Sequence, residues 1–142
     1  MTSARQIAPI WLGCCPVPPR CVLCAPPPAP LSPERVRALV ERGGHDDVLP
    51  FFIGGPPPSE PQFRAIEGRP FMARLRPDLL DPPAAEALVQ GGLLRIEFDL
   101  LTFDPVRLRQ IGRVYSRERV TEMARWFRQR SVEVSMLLGV GL

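Results

Sequence analysis

The stretch "DPPAAEALVQGGLLRIEFDLLTFDPVRLRQIGR", residues 81–113, decides the fold. Asp81 is a good helix N-cap, Pro82 occupies the first turn where its missing N–H costs nothing, and Gly91–Gly92 stop the helix. The run 93–103 that follows is apolar and rich in strand formers, so it reads as a strand. Asp104–Pro105 then repeats the same helix-start signal. Helix, strand and helix in direct succession are the building blocks of a βαβ crossover, which implies parallel strands.

Working outward, the same unit recurs. "SRERVTEMARWFRQR" (116–130) is a helix with Val120, Met123, Ala124 and Phe127 on one face, and "VEVSMLLGVGL" (132–142) is a final strand. Toward the N-terminus, "RPFMARL" (69–75) and "DDVLPFFIGG" (46–55) are strands, with a short helix from Ser59 between them. "LSPERVRALVERGG" (31–44) is a helix capped by Ser32, with Pro33 at its first position, Val36, Leu39 and Val40 inward and Gly43–Gly44 as terminator. "APIWLG" (8–13) is the first strand. Five strands alternating with helices predict an α/β fold, a parallel sheet whose right-handed crossovers bring every strand's C-terminal end to one rim, where such sheets bind ligands.

Composition narrows the function classes. The chain has 142 residues, 45% hydrophobic and 23% charged, as expected of one globular domain. Its 18 basic residues are all arginine, scattered along the chain, and the net charge is only +3, which argues against a nucleic-acid surface. No apolar run is long enough to span a bilayer, and "MTSARQIAPIWLGCC" is a poor signal peptide. A cytoplasmic location is therefore expected, where clustered cysteines more often bind metal or do redox chemistry than form disulfides.

All four cysteines lie within eleven positions, in "GCCPVPPRCVLC", directly after the first strand. Cys15, Cys21 and Cys24 are spaced C-x5-C-x2-C, with Cys14 as a neighbour. Three chemistries compete. Structural zinc wants four ligands, and here there is one C-x2-C hook and a single remote histidine, His45. A Cys21–Cys24 dithiol needs a helix N-terminus to lower a thiol pKa, and "APPPAP" is a weak helix start. An iron–sulfur cluster suits soft thiolates, and three ligands leave one iron open for chemistry.

The string "PIWLGCCPVPPRCVLC" resembles the opening of the radical S-adenosylmethionine (SAM) core, closest to the branch of the elongator catalytic subunit and the oxygen-independent coproporphyrinogen oxidases. The likeness continues in order: "FFIGG" resembles the strand and glycine pair that receive the SAM amino group, and the segment from "RPD" through "RIEFDLL" to "IGR" resembles the strings that follow. It spans about Pro9 to Leu142. The resemblance implies a partial (β/α) barrel of the radical SAM type over residues 1–142, with five of six parallel βα units, a cluster loop at 13–25 and the last part of the barrel missing.

It further implies a [4Fe-4S] cluster on Cys15, Cys21 and Cys24, with Cys15 favoured because Pro16 follows it and Cys14 as the alternative. SAM would contact Gly54, Gly55, Glu97 and Arg113. The implied activity is reductive cleavage of SAM to a 5′-deoxyadenosyl radical that abstracts hydrogen from an unknown substrate. The partners implied are an electron donor such as a flavodoxin or ferredoxin and a second chain completing the barrel. Asp99 and Leu101 stand where the family has a glycine and a glutamine. Read without the resemblance, Glu97 on an apolar strand calls for an ion pair with Arg95 or Arg74, and Arg113 is a solvated helix arginine. The alternatives are a truncated or degenerate non-catalytic member of the family and a structural zinc module.

Overall fold

Each βα unit begins with a polar cap and ends in an apolar strand, and the computed structural model shows what these signals assemble. It describes residues 6–12, 29–42 and 48–138. The elements are β1 (Gln6–Trp11), α1 (Pro33–Glu41), β2 (Val48–Ile53), α2 (Glu60–Arg64), β3 (Phe71–Leu75), a 3-10 turn (Pro77–Leu79), α3 (Pro82–Gln90), β4 (Leu93–Leu100), α4 (Pro105–Gln110), α5 (Arg117–Arg128) and β5 (Glu133–Leu138). The strands form one five-stranded sheet in the order β1-β2-β3-β4-β5, every pair parallel. The chain is thus an α/β protein with sequentially wound βα units.

The caps fall where the residue types put them. Asp81 Oδ1 accepts from Ala84 N at 2.8 Å, Asp104 Oδ1 from Val106 N at 2.8 Å, and the Ser116 hydroxyl from Arg119 N at 3.1 Å. Each satisfies an amide that the helix leaves unpaired. The carboxyls of Glu34 and Glu118, in the first turns of α1 and α5, are held below their ordinary value by their own backbone amides and then by Ser32 and Ser116. Where α3 turns into β4, Gly91 lies against the Phe63 ring so closely that a Cβ there would sit 1.9 Å from it, and Gly92 takes φ +98°, open to glycine alone without strain.

One face of the sheet carries the core. Ile10, Phe52, Phe71, Ala73, Leu75, Ile96, Phe98 and Leu100 are fully buried and join Val36, Ile66, Leu88, Leu108, Val120 and Phe127 from the helix side. Sequential order explains this one-sidedness: right-handed crossovers that all step the same way deposit their helices on the same face. Each such aromatic or aliphatic side chain contributes about 1.5–3 kcal/mol on burial.

The opposite face has no helix packed on it among the described residues, and its register forms two rows. Trp11, Ile53, Arg74, Glu97 and Ser135 lie side by side across all five strands; one step earlier, Pro9, Phe51, Met72, Arg95 and Glu133 do the same. A register shift between Phe71 and Met72 sets the β4 members of these rows. It uses up Leu94, which stays exposed, so that Arg95 and Glu97 share a face with Met72 and Arg74.

Several boundaries differ from those expected. The strand expected over 93–103 ends at Leu100, because Leu101 N donates to the Tyr115 hydroxyl at 3.0 Å instead of to a strand. The α4 helix stops at Gln110, and the following Gly112, at φ +72°, turns the chain. The first strand runs over Gln6–Trp11 instead of 8–13. The Gly43–Gly44 terminator, His45 and residues 139–142 of the expected last strand lie outside the described residues.

Candidate functional site

Cys14, Cys15, Cys21 and Cys24 lie outside the described residues, but the chain on either side of their segment is fixed. Leu12 N donates to Ile53 O at 2.9 Å, and Leu31 N donates to Trp11 O at 3.0 Å. Leu12 and Leu31, which flank that stretch, therefore both lie at the C-terminal end of β1. Gln62, buried at the start of α2, donates to Leu31 O at 3.1 Å and fixes Leu31 further.

The glycine pair expected to meet SAM adjoins that point. Gly54 N donates to Arg74 O at 3.1 Å and Gly55 O accepts from Arg76 N at 3.2 Å, so both residues continue the β2–β3 ladder past the strand end. A Cβ on Gly54 would stand 2.6 Å from Leu12 Cβ. The need for glycine at 54 is thus met by packing of β2 against β1, whatever else its backbone does. Ile53, Gly54 and Gly55 share the rim with Leu12, from which the cysteine segment departs.

Glu97 occupies the middle of the open face, its side chain 17% exposed. Arg74 Nε donates to its Oε2 at 2.9 Å and Arg74 Nη2 lies at 2.8 Å from the same oxygen, while Arg95 Nη2 approaches Oε1 at 3.4 Å. Arg74 also stands 5.3 Å over the Phe51 ring, a cation–π contact. The ion-pair expectation for Glu97 holds for both candidate arginines.

Arg113 is not a solvated helix residue. It sits in the turn after α4, 4% exposed, and its guanidinium donates to Asp99 O at 2.6 Å and to Asp99 Oδ2 at 2.8 Å. An arginine buried so deeply requires a paired carboxylate, and Asp99 at the end of β4 provides it.

A second buried pair lies beside it. Arg76, 2% exposed, donates to Asp78 Oδ1 at 3.0 Å, to Asp78 Oδ2 at 2.6 Å and to Gly112 O at 2.9 Å. Asp78 Oδ2 also accepts from Val114 N at 2.9 Å. The two pairs lock the turn after β3 to the α4–α5 turn, and so hold Arg113 where it is. The string "RPD" at 76–78 carries no local signal of this buried pair, whose other contacts come from residues 36 positions away.

Among the described residues, no group of three or more His, Cys, Asp or Glu side chains could hold a metal ion. A cavity of about 240 Å³ opens between α3 and α5, lined by Leu80, Pro82, Ala85, Met123, Trp126 and Phe127. It is on the helix side of the sheet and shares no residue with the rim or the open face. No helix among the described residues is long and apolar enough to cross a membrane. Comparison with protein-family models, with curated proteins and with solved structures found no match to this chain.

Proposed function

We propose that the chain is a radical SAM core or core fragment, in which Cys15, Cys21 and Cys24, with Cys14 as the alternative, hold a [4Fe-4S] cluster and Gly54, Gly55, Glu97 and Arg113 serve SAM. The observation that supports the reading is that Leu12 and Leu31, the hydrogen-bonded residues before and after the cysteine-bearing stretch, both sit at the C-terminal end of β1, on the rim that Gly54 and Gly55 share. The donor set fits the group, since three thiolates are the ligands such a cluster needs and leave one iron open. When bound, the cluster supplies the electron that cleaves SAM to a 5′-deoxyadenosyl radical, which takes hydrogen from a substrate.

The chain's own residues have simpler tasks. Gly54 lets β1 and β2 approach so that Leu12 lies beside the glycine pair. Arg76 and Asp78 fix the turn that carries Arg113. An electron donor such as a flavodoxin or ferredoxin would deliver the reducing equivalent. A second chain would add a strand beside β5, where Met136, Leu137 and Leu138 are exposed on a sheet edge.

A second reading is a degenerate, non-catalytic member of the family or a structural zinc module. It is favoured by the ion pairs: Glu97 is engaged by Arg74 and Arg95, and Arg113 by Asp99. SAM contacts through these two side chains must compete with charge-assisted bonds already made.

Anaerobic purification and reconstitution with iron and sulfide separate the readings, with a Cys21→Ala/Cys24→Ala variant as control. About four irons per chain, with the broad visible absorbance of a thiolate-ligated cluster and loss of both in the variant, is the expected result. SAM cleavage is then assayed on the loaded chain. Zinc, or no metal in a folded chain, overturns the enzyme reading for this polypeptide.

A further inference from the structure

Packed cores leave few gaps larger than a water molecule, because every gap forfeits the contacts of the atoms around it. The cavity of about 240 Å³ between α3 and α5 is an exception. At its base Phe127 is fully buried and packs on Phe98 of β4. Leu80, Ala85 and Met123 are further buried walls. Trp126, half-buried, completes the lining used here, its ring at 89° to that of Phe127 with centroids 4.9 Å apart.

The gap is braced at one end. Arg130, just past α5, stands 3.8 Å over the Trp126 ring and 3.9 Å from the Glu86 carboxylate of α3. Its Nη1 also donates to Trp126 O at 3.2 Å. One side chain thus links the two helices and stacks on the indole, which favours a ring position that leaves the cavity free.

The buried lining is apolar throughout. The polar lining residues, Asp81, Arg119 and Glu122, are all exposed and stand at the mouth. Asp81 is engaged as the α3 cap, and Arg119 and Glu122 are of opposite charge, so the mouth favours neither sign. An ion or a polar ring inside would lose water and meet no buried partner. Size narrows the occupant further. A cavity of about 150 Å³ lined by leucine, isoleucine and phenylalanine takes up benzene, and this one has about 1.6 times that volume. Two aromatic walls at right angles offer a planar guest one face contact and one edge contact, the geometries that ring pairs prefer. The Met123 thioether adds a contact of the kind sulfur makes with rings.

We infer that the α3–α5 cavity binds a small, uncharged aromatic molecule of about two fused rings, held by Trp126, Phe127 and Met123. The site uses none of the cysteines and stands apart from the cluster reading.

The test uses the full chain and its Cys21→Ala/Cys24→Ala variant, without reconstitution. Calorimetry gives affinity, and NMR follows the methionine methyls and the tryptophan indole N–H groups. The probes are indole, the equally shaped but polar purine, and indole-3-carboxylate at neutral pH. Indole binds at least about tenfold tighter than either, the factor expected when polar groups lose water without finding a partner. The Met123 and Trp126 signals move, while Met72 and Trp11, on the open face of the sheet, stay in place. The cysteine variant behaves the same. Ala85→Leu fills the cavity, weakens indole at least about tenfold and melts no lower than the parent chain. Trp126→Leu, at a half-buried position, weakens indole at least about threefold and decides the matter if Ala85→Leu does not fold. Four results overturn the inference: unmoved Met123 and Trp126 signals at millimolar indole, shifts at Met72 and Trp11 instead, equal binding of purine or of the carboxylate, or undiminished indole binding in a folded variant.

Discussion

Replacing Asp78 with alanine isolates the cost of a buried charge in this fold. The change removes two bonds to Arg76 and one acceptor for Val114 N, and leaves a guanidinium that is 2% exposed without its carboxylate. Breaking a buried pair from one side costs about 3–5 kcal/mol, against about 1 kcal/mol for the lost neutral hydrogen bond. The charge dominates. Domains of this size have roughly 5–15 kcal/mol in total, so the variant is left close to unfolding. Urea denaturation followed by circular dichroism measures the loss, and the melting temperature should fall by about 10 °C. Asp78→Asn keeps the shape and one acceptor and should lose less. The double change Arg76→Met/Asp78→Leu removes both charges and should recover most of the stability, because neither partner is then stranded. If Asp78→Ala costs under about 1 kcal/mol, or the double change is no better than the single one, the pair does not work as argued.

Gly54→Ala sets a Cβ 2.6 Å from Leu12 Cβ and should destabilise by about 1–3 kcal/mol, read as a lower urea midpoint at unchanged slope. Phe127→Ala empties a fully buried site against Phe98 and Trp126 and should cost about 3–5 kcal/mol in the same assay. Ser116→Ala removes the α5 cap and should cost about 0.5–2 kcal/mol. The Glu118 carboxyl, now held below 4.5 by its own amide and then by Ser116, should in that variant titrate closer to 4.5 by NMR. The sign follows from the lowered value: the carboxylate's contribution is present above the unfolded pKa and is lost as pH falls through the folded one. A Glu118 titration unchanged by Ser116→Ala would remove the hydroxyl as a cause.

The strands, the helices and their parallel arrangement were legible because each depends on local signals: Ser32, Asp81 and Asp104 before prolines, and Gly91–Gly92 after α3. The end of β4 was not, because a tyrosine hydroxyl fourteen residues onward takes the Leu101 amide. Arg113 was misread as solvated for the same kind of reason: its burial depends on Asp99, which is close in space only once α4 has turned back. The Arg76–Asp78 clamp acts on residues 36 positions away, beyond the reach of any spacing rule. Glu97 was the opposite case, since a carboxylate on an apolar strand demands a cation and the nearby arginines supplied two. The two rows of the open face require the register shift opposite Leu94, which no alternation pattern announces.

The strand order β1-β2-β3-β4-β5 also has a kinetic meaning. Every strand's neighbour in the sheet is its neighbour along the chain, so no pairing waits for a distant segment to arrive. A polypeptide leaving the ribosome can add each βα unit to a finished edge, with the growing sheet as template. Loop closure is then a series of modest steps, and the longest of them, from β1 to β2 and from β4 to β5, set the pace. Chains arrested after β4 would accordingly already hold the core formed by β1 to β4, with β5 docking last as a separate event.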